Sequence, residues 1–206
     1  MCRLLLEEDF FSLTEYNDGE KIELQDEEDV IESDMYIFIS ALRDDFFSVL
    51  YDKTITLEDK LVKILEKLQK FTKEKCKLKN EKEIISAYLN TEPIDDSWTE
   101  YIVNISENID DLKIYDMLQC EENNIIYSKV LAYILYRHLV CGAYDGDFVL
   151  RAYFSIESLF FIMICDRKVV LEKGEIALKE RIDNIKRWSK QIEYSEENTD
   201  YLIFGE

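Results

Sequence analysis

Proline is nearly absent from this chain: Pro93 is the single one in 206 residues, beside five glycines. A sandwich or barrel of many short strands needs far more turn residues than that, so the scarcity predicts an all-α fold. Positive charge is also scarce. Lys and Arg total 25 against 45 Asp and Glu, a formal net charge of −20. Such a chain repels phosphate backbones and anionic lipid surfaces, which argues against nucleic acid and membrane as partners. No charged-then-apolar leader opens the sequence, since residues 1–6 run directly into Glu7, Glu8 and Asp9. The cysteines (Cys2, Cys76, Cys120, Cys141, Cys165) are odd in number and far apart. No pair has zinc or iron–sulfur spacing, so they read as reduced thiols of a cytoplasmic protein, most of them small buried hydrophobes. Gly-x-Gly-x-x-Gly and P-loop patterns are missing, which leaves nucleotide binding through Gly-rich turns unsupported. His138 is the only histidine, has no matching Cys or Ser constellation, and reads as a satisfied helix residue.

What is present is a core. Hydrophobic residues make up 47% and aromatics 13%, enough for one ordinary domain and far from the composition of a disordered chain. Residues 1–34 read as an N-terminal helix followed by an acidic loop. The loop carries ten acids between Glu15 and Asp34 with Asn17-Asp18-Gly19 as a turn. It is either an inert solvated linker or a docking surface for a basic partner. Residues 35–206 read as an irregular multi-helix bundle with a weak break near 90–96, at Pro93. Apolar periodicity places helices over 35–51 (Ile37, Phe38, Ala41, Leu42, Phe46, Val49, Leu50) and from Thr56, an N-cap, through Phe71. The second of these sets Lys60, Lys63, Lys67 and Lys70 on the face opposite its apolar stripe, the wet side of an amphipathic helix. Shorter helices follow over 81–89, after Asp95 or Asp96, and around Leu112–Leu118. Longer ones follow over 124–141 (Ile126, Val130, Tyr133, Ile134, Leu139), 148–165 and 175–194 (Ile176, Leu178, Ile182, Ile185, Trp188, Ile192). The 148–165 stretch is apolar almost all round, and between Ala152 and Cys165 it is too short to span a bilayer, so it predicts a buried core helix.

Three polar features stand out. Tyr144-Asp145-Gly146-Asp147 brackets a glycine with two carboxylates where a helix starts; these either cap the helix or bind a cation or a substrate amine. Arg151 and Glu157 interrupt the most apolar helix, where charges must be paired or must line a cavity; the alternatives are a buried ion pair, with Arg137 as a further member, or a polar pocket. Glu193-Tyr194-Ser195-Glu196-Glu197-Asn198 closes the 175–194 helix, as a cap or as part of a site.

The same stretches carry a resemblance. Tyr136-Arg137 ahead of Tyr144-Asp145-Gly146-Asp147, then an apolar helix, then Ser189-Lys190-Gln191-Ile192-Glu193-Tyr194-Ser195-Glu196-Glu197-Asn198, resembles the C-terminal half of the flagellin lysine-N-methylase family. Cys2-Arg3-Leu4-Leu5-Leu6 and the helix pair over 35–71 resemble that family's middle region. The family more often has His at the position of Tyr194. The resemblance implies methyl transfer from S-adenosylmethionine to the ε-amines of surface lysines on flagellin or another lysine-bearing protein. It also implies a cysteine-rich N-terminal region holding an iron–sulfur or other metal cluster. Those cysteines are missing here, so the chain is expected to begin just after that region, as a fragment or shortened relative.

A lysine amine near pKa 10.4 must lose its proton before it attacks a methyl group. Carboxylates beside an aromatic wall suit both the ammonium and a sulfonium. Asp145, Asp147 and Glu193 are the catalytic candidates. Arg137, Tyr144, Arg151, Glu157, Tyr194, Glu197 and Asn198 are the substrate- or cofactor-binding ones. The rival reading is a non-catalytic helical adaptor that holds a basic protein on acidic surfaces. A polar pocket enclosing Asp147, Arg151 and Glu157 would favour the enzyme, and a sealed Arg151–Glu157 pair the adaptor.

Overall fold

The computed structural model describes residues 15–17, 20–22, 34–72, 77–112, 114–118 and 120–205. The readings placed on residues 1–14 and on Cys76 lie outside these. Inside the acidic loop, β1 (Glu15–Asn17) and β2 (Glu20–Ile22) pair antiparallel, with Tyr16 opposite Lys21. These strands flank the turn expected at Asn17-Asp18-Gly19, of which residues 18 and 19 lie outside the described residues. The rest is helical: α1 (Asp34–Tyr51), α2 (Leu57–Leu68), α3 (Glu81–Leu89), α4 (Asp96–Glu107), a 3₁₀ turn (Ile109–Asp111), α5 (Tyr115–Leu118), α6 (Glu121–His138), α7 (Gly142–Asp145), α8 (Phe148–Lys173), α9 (Leu178–Gln191) and α10 (Glu196–Phe204). The protein is an all-α, multi-helix bundle.

The starts of several helices follow local chemistry. Thr56 caps α2, its hydroxyl accepting from the Asp59 N–H at 3.1 Å. Asn80 and Glu83 cap α3 reciprocally, at 3.0 and 2.8 Å. Asp95, expected as a cap, turns its carboxylate to Lys190 and Ser97 and makes no capping bond to the backbone of α4.

Helix α8 is the axis of the bundle and packs against α3, α6, α7, α9 and α10. One side of it joins α1, α2 and α6 around Phe46, Leu50, Leu131, Leu135, Leu159 and Met163. The other joins α3, α4, α9 and α10 around Ile84, Tyr88, Trp98, Phe161 and Trp188. Each fully buried side chain of this size stabilises the fold by about 1.5–3 kcal/mol. The core helix expected to end near Cys165 continues to Lys173, where Gly174 stops it. By length and composition α8 is apolar enough to cross a membrane; in the bundle most of it is buried against its neighbours.

Several faces differ from their apolar pattern. In α1 the buried set is Ile39, Leu42, Phe46 and Leu50, and Ile37 and Phe38 face outward. Tyr133 of α6 is exposed. In α9, Leu178 and Ile182 are exposed while Arg181, Asn184, Trp188 and Gln191 are buried. Lys60, expected on the wet face of α2, is only 4% exposed. The expected 175–194 helix is shorter, and a separate helix, α10, follows it after Ser195 accepts from the Asn198 N–H.

Candidate functional site

The polar residues singled out in the sequence are distributed over two corners of the bundle and one closed ion pair. The first corner is built by close backbone approach. At the start of α7, a Cβ on Gly142 would stand 2.5 Å from Cα of Phe148. Only glycine therefore lets the end of α6 fold back onto the start of α8. Gly146 then takes φ of +80°, the left-handed region in which glycine is unstrained, and ends α7. The result packs Arg137 and His138, at the end of α6, near Asp145 and Arg151, at the α7–α8 junction. The α9–α10 turn brings in Glu193.

Glu193 is the hub of this corner, its side chain only 3% exposed. Tyr133 donates its hydroxyl to Glu193 at 3.2 Å, Arg137 Nε stands 3.7 Å away, and His138 Nε2 stands 3.8 Å away. Among the described residues His138 Nε2, which is buried, has no hydrogen-bond partner. Burial pushes the His138 pKa down, against the pull of Glu193, and Arg151 and Arg137 push the same way as burial. Burial works to raise Glu193, but its contacts with His138, Ser189 and Tyr133 outweigh it and leave the carboxyl below its ordinary value. The Tyr133 hydroxyl is pushed up to about 12 by burial and by Glu193. The pair therefore rests as a neutral imidazole facing a carboxylate, the arrangement a proton acceptor needs.

Beside it, Asp145 accepts from Arg151 Nε at 2.7 Å and from the Asp147 N–H at 2.9 Å, and Arg151 Nη2 completes the pair. Burial opposes the Arg151 charge, yet Asp145 outweighs it and raises the guanidinium. Asp147 occupies the capping position of α8 without making a capping bond. Burial and the Asp145 charge raise its pKa, and Arg151 partly offsets them. Asp200 of α10 is raised by burial too, with Arg151 opposing. Tyr144 is buried behind this group, and Tyr194, at 83% exposure, projects from the α9–α10 turn. Strand β1 lies against α7.

The structure does not bring Arg151 and Glu157 together. Glu157 instead accepts the backbone N–H and the ammonium of Lys79, at 3.0 and 2.6 Å. The two charges sit six residues apart along α8, more than a helical turn and a half, and each finds its own partner. The second corner uses Asn198 and Glu197. Asn198, buried, accepts from the Glu92 N–H at 2.7 Å and donates to the Glu92 and Gln191 carbonyls at 2.8 and 2.9 Å. It pins the Pro93 loop to the α9–α10 turn, a structural task. Glu197 shares a hydrogen bond with Glu92, which raises the Glu92 carboxyl.

His138, expected as a satisfied helix residue, is instead a member of this corner, its buried Nε2 unbonded among the described residues. Its signal was its place directly after Arg137, in a stretch that already carried the resemblance. Among the described residues no group of three or more His, Cys, Asp or Glu could hold a metal ion. A metal cluster does not fit them. Searched against protein-family models, curated proteins and solved structures, the chain matches none.

Proposed function

We propose that this chain is the helical part of a protein lysine N-methyltransferase of the flagellin lysine-N-methylase type, and that the corner around Glu193 receives the lysine side chain. One observation carries the reading. The Tyr136-Arg137, Tyr144–Asp147 and Ser189–Asn198 stretches lie 62 residues apart at their extremes, and Glu193 meets Arg137 and His138 at 3.7 and 3.8 Å. The donor set also fits: carboxylates beside Tyr133 and Tyr194 suit a cation, whether an ammonium or a sulfonium. S-adenosylmethionine supplies the activated methyl group; Asp147 and Tyr194 are the residues that would hold it. Glu193 orients and draws in the incoming lysine ammonium, Tyr133 fixes the Glu193 carboxylate, and His138 Nε2 takes the ammonium proton. Arg151, locked to Asp145, keeps a positive charge near His138 that disfavours the imidazolium.

The test is to incubate the full chain with S-adenosylmethionine and flagellin and to map methyl increments on flagellin lysines by mass spectrometry. Methylation lost in Glu193→Gln and in His138→Asn, with both variants folded, supports the reading. Equal methylation by both variants and the native chain overturns the assignment to this corner.

A second reading is favoured by the closed pairs. Asp145 is held by Arg151 and Glu157 by Lys79, so these carboxylates already have internal partners. That suits an adaptor that presents acidic surfaces to a basic protein. Salt-sensitive binding of flagellin without methyl transfer is the outcome that selects it.

A further inference from the structure

The end of α1, the start of α2 and the first half of α6 line a half-open pocket of about 360 Å³. Its lining carries Lys53, Lys60 and Lys129 against a single carboxylate, Glu121. That balance runs opposite to a chain of net charge −20. Lys53 and Lys129 are exposed; Lys60 is the buried one. Its Nζ donates to the Leu50 carbonyl at 2.8 Å and to Ser128 Oγ at 3.1 Å. No carboxylate among the described residues forms an ion pair with it. A neutral amine has two N–H groups and one lone pair, and two acceptors are present. Nζ is thus left with one position unbonded, a third N–H in the ammonium and the lone pair in the neutral amine. Burial lowers the Lys60 pKa, with Asp52 weakly opposing, in line with the desolvated lysines that serve as nucleophiles.

We propose that Lys60 is the amine of a covalent carbonyl-binding site whose ligand is a small aldehyde bearing an anionic group. The Nζ lone pair adds to the carbonyl carbon, a proton passes from nitrogen to the carbonyl oxygen, and one water leaves as the C=N bond forms. No redox partner is consumed. Lys53 and Lys129 meet the anionic group at the mouth of the pocket, and Ile125 supplies an apolar wall. The site lies on other helix ends than the Glu193 corner, and stands or falls independently of the methyltransferase reading.

The test treats the full native chain with glyoxylate and cyanoborohydride, which reduces an imine to a stable carboxymethyl-lysine, and follows each lysine by peptide mapping. Each unit by which a pKa falls raises the free-amine fraction about tenfold at neutral pH. Lys60 should therefore be modified faster than the exposed Lys179 and Lys186. Lys60→Arg should abolish that fast phase alone. Modification of Lys60 no faster than of Lys179 and Lys186 overturns the proposal, and so does faster modification by neutral propanal than by glyoxylate.

Discussion

Arg181→Met probes the most demanding polar arrangement in the core. Arg181 Nη1 bonds Asp166 at 3.2 Å and the Tyr127 hydroxyl at 2.9 Å, and Nη2 reaches Asn123 Oδ1 at 2.5 Å. Asp166 is 1% exposed. Methionine fills much of the volume but leaves Asp166 a buried carboxylate with only Tyr127 and Asn184 as donors, at 2.9 and 2.8 Å. Removing one partner of a buried pair costs about 3–5 kcal/mol; the two surviving donors place this case near the lower end, at about 3 kcal/mol. For a chain of this size that lowers Tm by about 6–12 °C, at about 2–4 °C per kcal/mol. Burial already raises Asp166 above its ordinary value, and losing Arg181 raises it further. The folded variant then binds a proton that the unfolded chain releases near pH 3.8. The contribution of Asp166 to its stability is fully present below that value and is lost as pH rises through the raised folded pKa. Replacing both partners, as Arg181→Met with Asp166→Leu, should recover most of the loss. Urea unfolding followed by circular dichroism measures all three chains. A loss under about 1 kcal/mol in the single variant, or a double variant no better than the single, refutes the reasoning.

Gly142→Ala should destabilise by about 3 kcal/mol or more, because its Cβ meets backbone of Phe148 rather than a flexible tip; calorimetry checks it, and a near-native Tm contradicts it. Tyr88→Phe keeps the stack on Phe161 but removes the acceptor of Trp188 Nε1, at 3.1 Å, and the donor to Ser158. About 1–3 kcal/mol should be lost in denaturant titration. His138 is neutral in the fold because burial lowers its pKa. The unfolded chain therefore takes up the proton first, and stability should fall as pH drops below about 6.5. In His138→Asn that part of the acid sensitivity should disappear.

The helices were legible because apolar periodicity and capping chemistry are local. Thr56 and the turn at Gly174 carry their own signal. The polar buried faces were not. In α9 the apolar pattern pointed to Leu178 and Ile182, yet the helix presents Arg181, Asn184 and Gln191 to the core. Polar burial is tolerable only because Asp166, Glu92 and Ile94 supply partners from other elements, and no local pattern records that. Lys60 escaped for a similar reason, its partner Ser128 lying 68 residues away and Leu50 on the preceding helix. At the candidate site the motif stretches were visible, but the partner of Glu157 is Lys79, 78 residues away. The close approach of α6 to the start of α8 depends on Gly142, where a Cβ would meet the Phe148 backbone.

The central claim is that His138 and Glu193 face each other in one buried corner. The chain has a single histidine, so one imidazole signal in an NMR pH titration reports on it without ambiguity. The His138 midpoint should lie below the ordinary value of about 6.5 and move lower still in Glu193→Gln, because the carboxylate is what holds it up. A midpoint at or above that value, or one that Glu193→Gln leaves in place, would contradict the claim.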